Sequence, residues 1–394
     1  MPMARSQTQA EANLTSKQAA NYANSYAQWI RSVMTSNNTK DYALIGSSFN
    51  EPLDLLKETL KTNFCDNFTD YYQSVFVNGN PRVVDFLSRH YDVPSSQLLC
   101  TTGATTALSL IYRTFTQPGD HVLIESPALD VFRILAEERA LNIDWIERRP
   151  ELDFAPDLDQ LTAKITDQTK LIVLSNLHNP SGARLNDDMI RKVAGIAAQH
   201  GCLVVMDEVY LGYAEASSSS RTAAHLGDNI IAINSLTKTH GLSSLRCGWI
   251  IAAEQWLDPL RRFSDLHEYG ISKIGHAIAG LVLEQRALYS DYREQQMAAM
   301  KPVIDAHLRE LIKEGLINDY LPEYGCMYFP VLKGVTDTKH FADWLFKRSE
   351  VVITPGEYFG FAGAIRVGVP ETIDNLHVAL ERLTAGIRAY IRQP

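Results

Sequence analysis

Five short apolar runs constrain the fold of this chain more than any other feature. They are His121-Val122-Leu123-Ile124-Glu125, Leu171-Ile172-Val173-Leu174-Ser175-Asn176, Leu203-Val204-Val205-Met206, Ile230-Ile231-Ala232-Ile233-Asn234 and Cys247-Gly248-Trp249-Ile250-Ile251. Most are rich in β-branched residues, and they alternate with helical patterns such as residues 187–200. Strands that are apolar on both faces belong to a mostly parallel sheet with helices packed on either side. An earlier strand is expected at residues 97–102, followed by a helix from Thr105 to Phe115 and a turn at Gln117-Pro118-Gly119-Asp120. Another helical pattern opens at Pro81.

After about residue 275 the texture changes. A helical region from Ile274 to Glu314 leads to a strand near Gly325 to Val331, and others are expected near Val351 to Ile353 and at Ala364 to Val369, with a terminal helix from Glu371. The fold class is α/β: a large domain with a mostly parallel sheet covered by helices on both faces, plus a smaller α+β domain. The expected division is an N-terminal segment, 1–60, contributing to the small domain, a large domain over 61–285, and a C-terminal small domain over 286–394. Residues 1–40, rich in Asn, Gln, Ala and Ser, read as a weakly amphipathic helix or an arm, and Ser217 to Ser220 as a loop.

Composition narrows the function classes. The 394 residues carry 37 Lys and Arg against 46 Asp and Glu, a net charge of −9, so no global basic field exists to hold nucleic acid or anionic lipid. With 45% hydrophobic and 21% charged residues, the chain is not of the disordered or fibrous classes. The five cysteines form no CxxC pair, and Cys100, Cys202 and Cys247 lie in or beside apolar runs, which reads as free buried thiols rather than metal ligands. The first residues lack the apolar core of a signal peptide, and no stretch reaches the roughly 20 apolar residues of a membrane span, so a cytoplasmic location is expected.

In open parallel sheets, ligands bind beyond the carboxyl ends of the strands. Four of those ends deliver chemistry: Thr101-Thr102-Gly103-Ala104-Thr105, Asn176-Leu177-His178-Asn179-Pro180-Ser181-Gly182, Asp207-Glu208-Val209-Tyr210 and Ser235-Leu236-Thr237-Lys238, with Arg246 eight residues beyond the lysine. Each piece alone has an ordinary structural role as a cap, turn or solvated charge. Together they offer a glycine-bearing helix start, hydroxyls, a carboxylate, an amide, a phenol, a lysine and an arginine around one sheet edge.

That set resembles the class I/II aminotransferases among the fold-type I pyridoxal-phosphate enzymes, over about residues 70 to 370. Asn179-Pro180-Ser181-Gly182, Asp207 to Tyr210, Ser235 to Lys238 and Arg246 occur in the family's order, and Gly356 in Thr354-Pro355-Gly356 and Arg366 in Ile365-Arg366-Val367 match its later signals. The resemblance implies pyridoxal 5'-phosphate as cofactor, a Schiff base on Lys238, and amino transfer between an amino acid and a 2-oxo acid. It makes Lys238, Asp207 and Tyr210 the catalytic residues, with Asp207 on the ring nitrogen and Asn179 and Tyr210 on the phenolic oxygen. Gly103, Ala104, Thr105, Ser235 and Arg246 would hold the phosphate. Arg366 would take the substrate α-carboxylate, with Asn179 and Gly46 on the substrate side, and no metal is expected. A homodimer with shared sites is implied too.

The sequence departs from the family at two points. Leu129, in Pro127-Ala128-Leu129, stands where many relatives carry an aromatic that stacks on the ring; Phe132 either substitutes for it or belongs to the core. Tyr71 and Tyr72 precede Gly79 with a looser spacing than the tyrosine that relatives lend to the partner's phosphate. A lyase, decarboxylase, racemase or amino-acid cyclase on the same fold, or a non-catalytic ligand sensor, stays open at this stage. No GxGxxG after a strand and no P-loop is present.

Overall fold

The structure is a computed structural model that describes residues 24–35, 41–63, 79–214, 221–268, 270–370 and 373–392. Cys65, Tyr71, Tyr72 and the Ser217 to Ser220 segment lie outside the described residues. Seven strands build the large sheet: β1 (Leu98–Thr101), β2 (His121–Ser126), β3 (Asn142–Glu147), β4 (Thr169–Ser175), β5 (Leu203–Asp207), β6 (Ile230–Ser235) and β7 (Gly248–Ile251). Their order is β1-β7-β6-β5-β4-β2-β3. Only β7 runs against its neighbours β1 and β6. The remaining strands therefore end on one edge, and β7 begins there, which is how Arg246, just before β7, joins groups delivered by strand ends.

Period-two alternation explains why both faces are buried. Leu171 and Val173 of β4, Val205 of β5 and Ile231 and Ile233 of β6 share one face with Leu108 and Ile111 of the helix Ala104–Phe115. Ile172 and Leu174, Val204 and Met206, and Ile230 share the other face with Ile190, Val193 and Ala197 of the helix Asp187–Gln199. The Asn186 side chain caps that helix by accepting from the Met189 N–H at 2.8 Å, and Asp187 and Asp188 lie in its first turn.

One strand was not foreseen, and two local expectations are corrected. β3 escapes the apolar-run pattern because only Ile146 among its residues is fully buried; it is an edge strand with a polar outer surface. The helical region from Ile274 to Glu314 breaks at Gln285 into the helices Lys273–Glu284 and Arg286–Lys313. The strand expected near Val351 to Ile353 is shorter and later, as β9 below.

A second sheet is made of β8 (Met327–Tyr328), β9 (Thr354–Pro355) and β10 (Ile365–Gly368), in the order β8-β10-β9 and antiparallel throughout. Leu308, Leu311, Phe341, Leu345, Leu380 and Leu383 from the helices around it fill its core. Residues 43–46 run alongside: the Leu44 N–H donates to Val352 O at 2.8 Å, the Gly46 N–H to Val369 O at 3.1 Å, and the Gly368 N–H to Leu44 O at 2.8 Å. A Cβ on Gly368 would stand 1.9 Å from the Gly46 carbonyl oxygen, so only glycine permits that crossing. No helix among the described residues is long and apolar enough to cross a membrane.

Behind the carboxyl edge lies a buried ion pair. Arg148 Nη1 donates to Glu125 Oε2 at 2.6 Å and to the Ser175 carbonyl at 3.0 Å, while both side chains are 0% exposed. Ser175 Oγ also donates to Glu125. Burial pushes the Glu125 carboxyl up against the opposing pull of Arg148 and Ser175. Removing one member strands the other charge in a dry interior. Arg148→Ala should therefore lose about 3–5 kcal/mol of stability, read as a lower denaturant midpoint. The double change Glu125→Gln with Arg148→Met should unfold at a higher midpoint than Arg148→Ala.

Candidate active site

The phosphate side of the site starts where β1 ends. Thr101 Oγ1 donates to the Gly103 carbonyl at 3.0 Å, and Gly103, at φ 83°, turns the chain into the helix Ala104–Phe115. No side chain of the described residues caps that helix, so its first N–H groups are free to meet a ligand. A Cβ on Gly103 would lie 2.6 Å from Arg246 Nη2, so the bare glycine lets the guanidinium close over the helix start. Arg246 is exposed, and its contacts to the Ser243 and Thr102 carbonyls are both long, at 3.4 Å. Ser235 Oγ, buried, accepts from the Thr237 N–H at 3.3 Å and so caps the turn that carries Lys238.

Lys238 sits on the short helix Leu236–Thr239 that β6 feeds. Its carbonyl accepts from Ser48 Oγ at 3.0 Å and Tyr213 OH at 3.1 Å, and its Nζ donates to Ser47 Oγ at 2.7 Å. Burial, with the nearby charge of Arg366, brings the amine down to about 8 from its ordinary value. The neutral, nucleophilic form is thus within reach near physiological pH.

Asp207 closes β5. One oxygen accepts from the Val209 N–H at 3.1 Å, and burial, with Glu125 behind it, raises the carboxyl to about 7. A cation placed against Asp207 would return it to the ionised form. Tyr210 is 2% exposed, and its hydroxyl has no well-aligned hydrogen-bond partner, although Ser47 is near enough to interact with it. A buried hydroxyl in that state is completed by a ligand that accepts or donates one more bond.

Arg366, on β10, is 0% exposed, and no carboxylate of the described residues pairs with it. Its Nη1 donates to Asn179 Oδ1 at 3.2 Å, and its Nη2 to Tyr26 OH at 2.7 Å and the Ile45 carbonyl at 3.2 Å, while its Nε finds no partner. The rings of Tyr26 and Phe359 lie 5.2 Å and 5.0 Å from the guanidinium carbon. A desolvated cation held only by neutral groups is ready for a carboxylate.

A cavity of about 260 Å³ brings Ala104, Thr105, Asn179, Asp207, Tyr210, Ser235, Lys238, Arg246 and Arg366 together. Leu129 and Phe132 both line it, with Phe132 also 2% exposed. Gly103 forms the turn beneath; Gly46 lines the adjoining cavity instead. Gly356 takes a structural part, its N–H donating to Ala364 O at 2.8 Å. Sequence reasoning missed Tyr26, whose contact with Arg366 spans 340 positions, and Glu125, which the strand-end rule applied to β2 would have found. His178 was quoted only as part of its loop. It donates from Nε2 to the Pro127 carbonyl at 2.7 Å and accepts from Ser181 Oγ at 2.6 Å, and burial with Arg148 holds it neutral.

An open helix start with a guanidinium, a carboxyl that needs a cation, an unfilled phenol and a buried amine fit a phosphorylated pyridine aldehyde. The comparisons with known proteins agree. An aspartate aminotransferase of Pyrococcus horikoshii is 25% identical over 341 residues, covering 83% of this chain and 85% of that protein. A capreomycidine synthase of Streptomyces vinaceus is 27% identical over 276 residues, 70% of each chain. The crystal structure of a PLP-dependent aminotransferase from Streptococcus suis shares the fold, with a TM-score of 0.81 at 24% identity over 93% of this chain and 98% of that one. The family profile described as aminotransferase class I and II matches residues 47–383. The chain belongs to the aminotransferase class I and II family, whose enzymes use pyridoxal phosphate.

Proposed function

We propose that this cavity is the active centre of a pyridoxal-phosphate-dependent aminotransferase that moves an amino group between an amino acid and a 2-oxo acid. The observation that carries the reading is one pair of groups in one cavity: the buried Lys238 amine, and the buried Arg366 guanidinium without a carboxylate partner. An amine of lowered pKa suits an aldehyde, and a planar cation with free donors suits an α-carboxylate. The cofactor, when bound, supplies the electron sink that lets a bond at the amino acid's Cα break.

Each residue then has a defined task. The first N–H groups of the helix Ala104–Phe115, with Thr105, Ser235 and Arg246, hold the phosphate, and Gly103 leaves room for it. Asp207 pairs with the ring nitrogen and keeps it protonated. Tyr210 and Asn179 hydrogen-bond the phenolic oxygen, and Asn179 also links to Arg366 through its Oδ1. Leu129 and Phe132 pack against the ring. Lys238 Nζ would hold the cofactor at rest and, once released, would take a proton from Cα and deliver it to the cofactor's C4′. Arg366 anchors the α-carboxylate, with Gly46 at the substrate side. The reading extends to a cytoplasmic homodimer, and to domains divided near residues 60 and 285.

Neutral amine is the reactive form, so its lowered pKa sets the pH of cofactor capture. Capture of pyridoxal phosphate by cofactor-free protein should quicken as pH rises and level off above about 8, followed by the growth of visible absorbance. In Lys238→Ala, borohydride should no longer fix the cofactor to the chain; fixation at another lysine would overturn the assignment.

A second expectation concerns Arg366. A lysine there keeps the charge but loses the parallel hydrogen bonds, so Arg366→Lys should lower kcat/KM for the amino donor about 10- to 100-fold. In the unmodified enzyme, one turnover with the true donor should leave the cofactor in its amine form and release one 2-oxo acid. Release of carbon dioxide, a β-leaving group or a cyclised amino acid, with the cofactor unchanged, would mark one of the other reactions this fold supports.

Assembly gives a third expectation: sedimentation at micromolar concentration should show a dimer. A fully active monomer would contradict shared sites.

A further inference from the structure

A second cavity, of about 460 Å³, adjoins the first, and Tyr26, Ser47, Thr237 and Lys238 line both. It is therefore reached from the Lys238 amine, where the Cα of a substrate must stand. Its walls are largely apolar. The helix Tyr26–Thr35 contributes Ile30, Val33 and Met34, while Ile45, Phe49 and Val369 come from the crossing segment and the exit of β10.

Charge is sparse in this cavity. Among the described residues that line it, Lys238 is the one cation and Glu51 the one carboxylate. Glu51 Oε1 accepts from Ser243 Oγ at 3.0 Å and the Ser244 N–H at 2.6 Å, and no cation of the described residues pairs with it. Lys238 and Arg366 are already committed to the cofactor and the α-carboxylate. Among the described residues of one chain, a second carboxylate on the substrate would meet apolar walls and Glu51, with no further cation lining the cavity to receive it.

We propose that the amino donor carries an uncharged, largely apolar side chain, seated between the helix Tyr26–Thr35 and residues 43–51, and that Glu51 disfavours dicarboxylic donors. This rests on the aminotransferase reading and names the substrate class of the same site. Shape and apolar area select the side chain, and the half-buried carboxylate of Glu51 at the cavity wall supplies the repulsive element that specificity needs.

The test uses the holoenzyme in two independent arms. In the first, single-turnover rates are measured with L-leucine, L-methionine and L-phenylalanine against L-aspartate, L-glutamate and L-lysine. The apolar donors should lead by at least about tenfold in kcat/KM. In the second, calorimetry ranks acids that lack the amino group: 4-methylpentanoate and 3-phenylpropanoate should bind more tightly than glutarate. Glu51→Gln should narrow the margin against the dicarboxylic compounds in both arms. Val33→Lys, on a partly exposed helix position, should move it further in their favour. Equal or better use of L-aspartate or L-glutamate would overturn the proposal, as would a preference for L-lysine that Glu51→Gln abolishes. If no amino acid converted the cofactor, the aminotransferase reading would fall, while the ranking of the unreactive acids would still decide the character of the cavity.

Discussion

The burial of the Arg366 guanidinium is the constraint around which the other parts of the molecule are arranged. A cation at 0% exposure must be solvated by something, and here three distant stretches of chain do it. Tyr26 comes from the first described helix, the Ile45 carbonyl from the segment crossing the small sheet, and Asn179 from the loop after β4. The residues making these contacts wall the two adjoining cavities. Local order at both ends serves this placement: the Gly46–Gly368 crossing fixes Ile45, and the Asp130 carboxylate accepts from the Tyr26 N–H at 2.8 Å. Neutral donors and aromatic faces make the burial tolerable without neutralising the charge.

A second layer of charge stands behind the first. Arg148, Glu125 and Ser175 form a dry network under the strand edge, and Ser175 pairs in register with Asp207 across β4 and β5. Burial raises the Asp207 carboxyl most, Glu125 adds a smaller upward push, and the Val209 N–H and Lys238 pull it down. Asp207 pairs with no cation of the described residues, which is what its proposed role beside a cationic ring nitrogen requires. His178, neutral and locked between Pro127 and Ser181, braces the loop that presents Asn179.

The buried strands were legible because a strand covered on both faces must be apolar at every position, a pattern that no surface element shares. β3 was not, since an edge strand keeps one polar surface and loses the signal. The residues after β4, β5 and β6 were legible for a topological reason: parallel strands deliver their ends to one place. Arg246 needed the family's order, because the reversal of β7 that brings it to the same edge leaves no mark in the sequence. Gly46, named on the substrate side, does line the second cavity, but Tyr26 and the helical wall of that cavity were beyond reach. They depend on how the amino-terminal helix folds back over residues 43–51, a contact between elements with no shared periodicity. Phe132, read as a core residue or a ring neighbour, is a core residue that also lines the cavity.

The two perturbed groups at the centre also tie stability to occupancy. Asp207 is raised to about 7, so between its ordinary value near 3.8 and 7 the folded protein holds a proton that the unfolded chain has released. Stability of the cofactor-free protein is therefore lost as pH rises through that window, and the full cost is present above it. Lys238 is lowered to about 8 from 10.5, so between those values the unfolded chain holds the extra proton. Here stability is lost as pH falls, and the full cost is present below 8. Between pH 7 and 8 the protein thus bears nearly all of both costs at once. A ligand that brings a cation to Asp207 and engages Lys238 as the neutral amine removes both. On the roles proposed for Asp207 and Lys238, binding of the cofactor and stability of the fold are linked through these same two side chains.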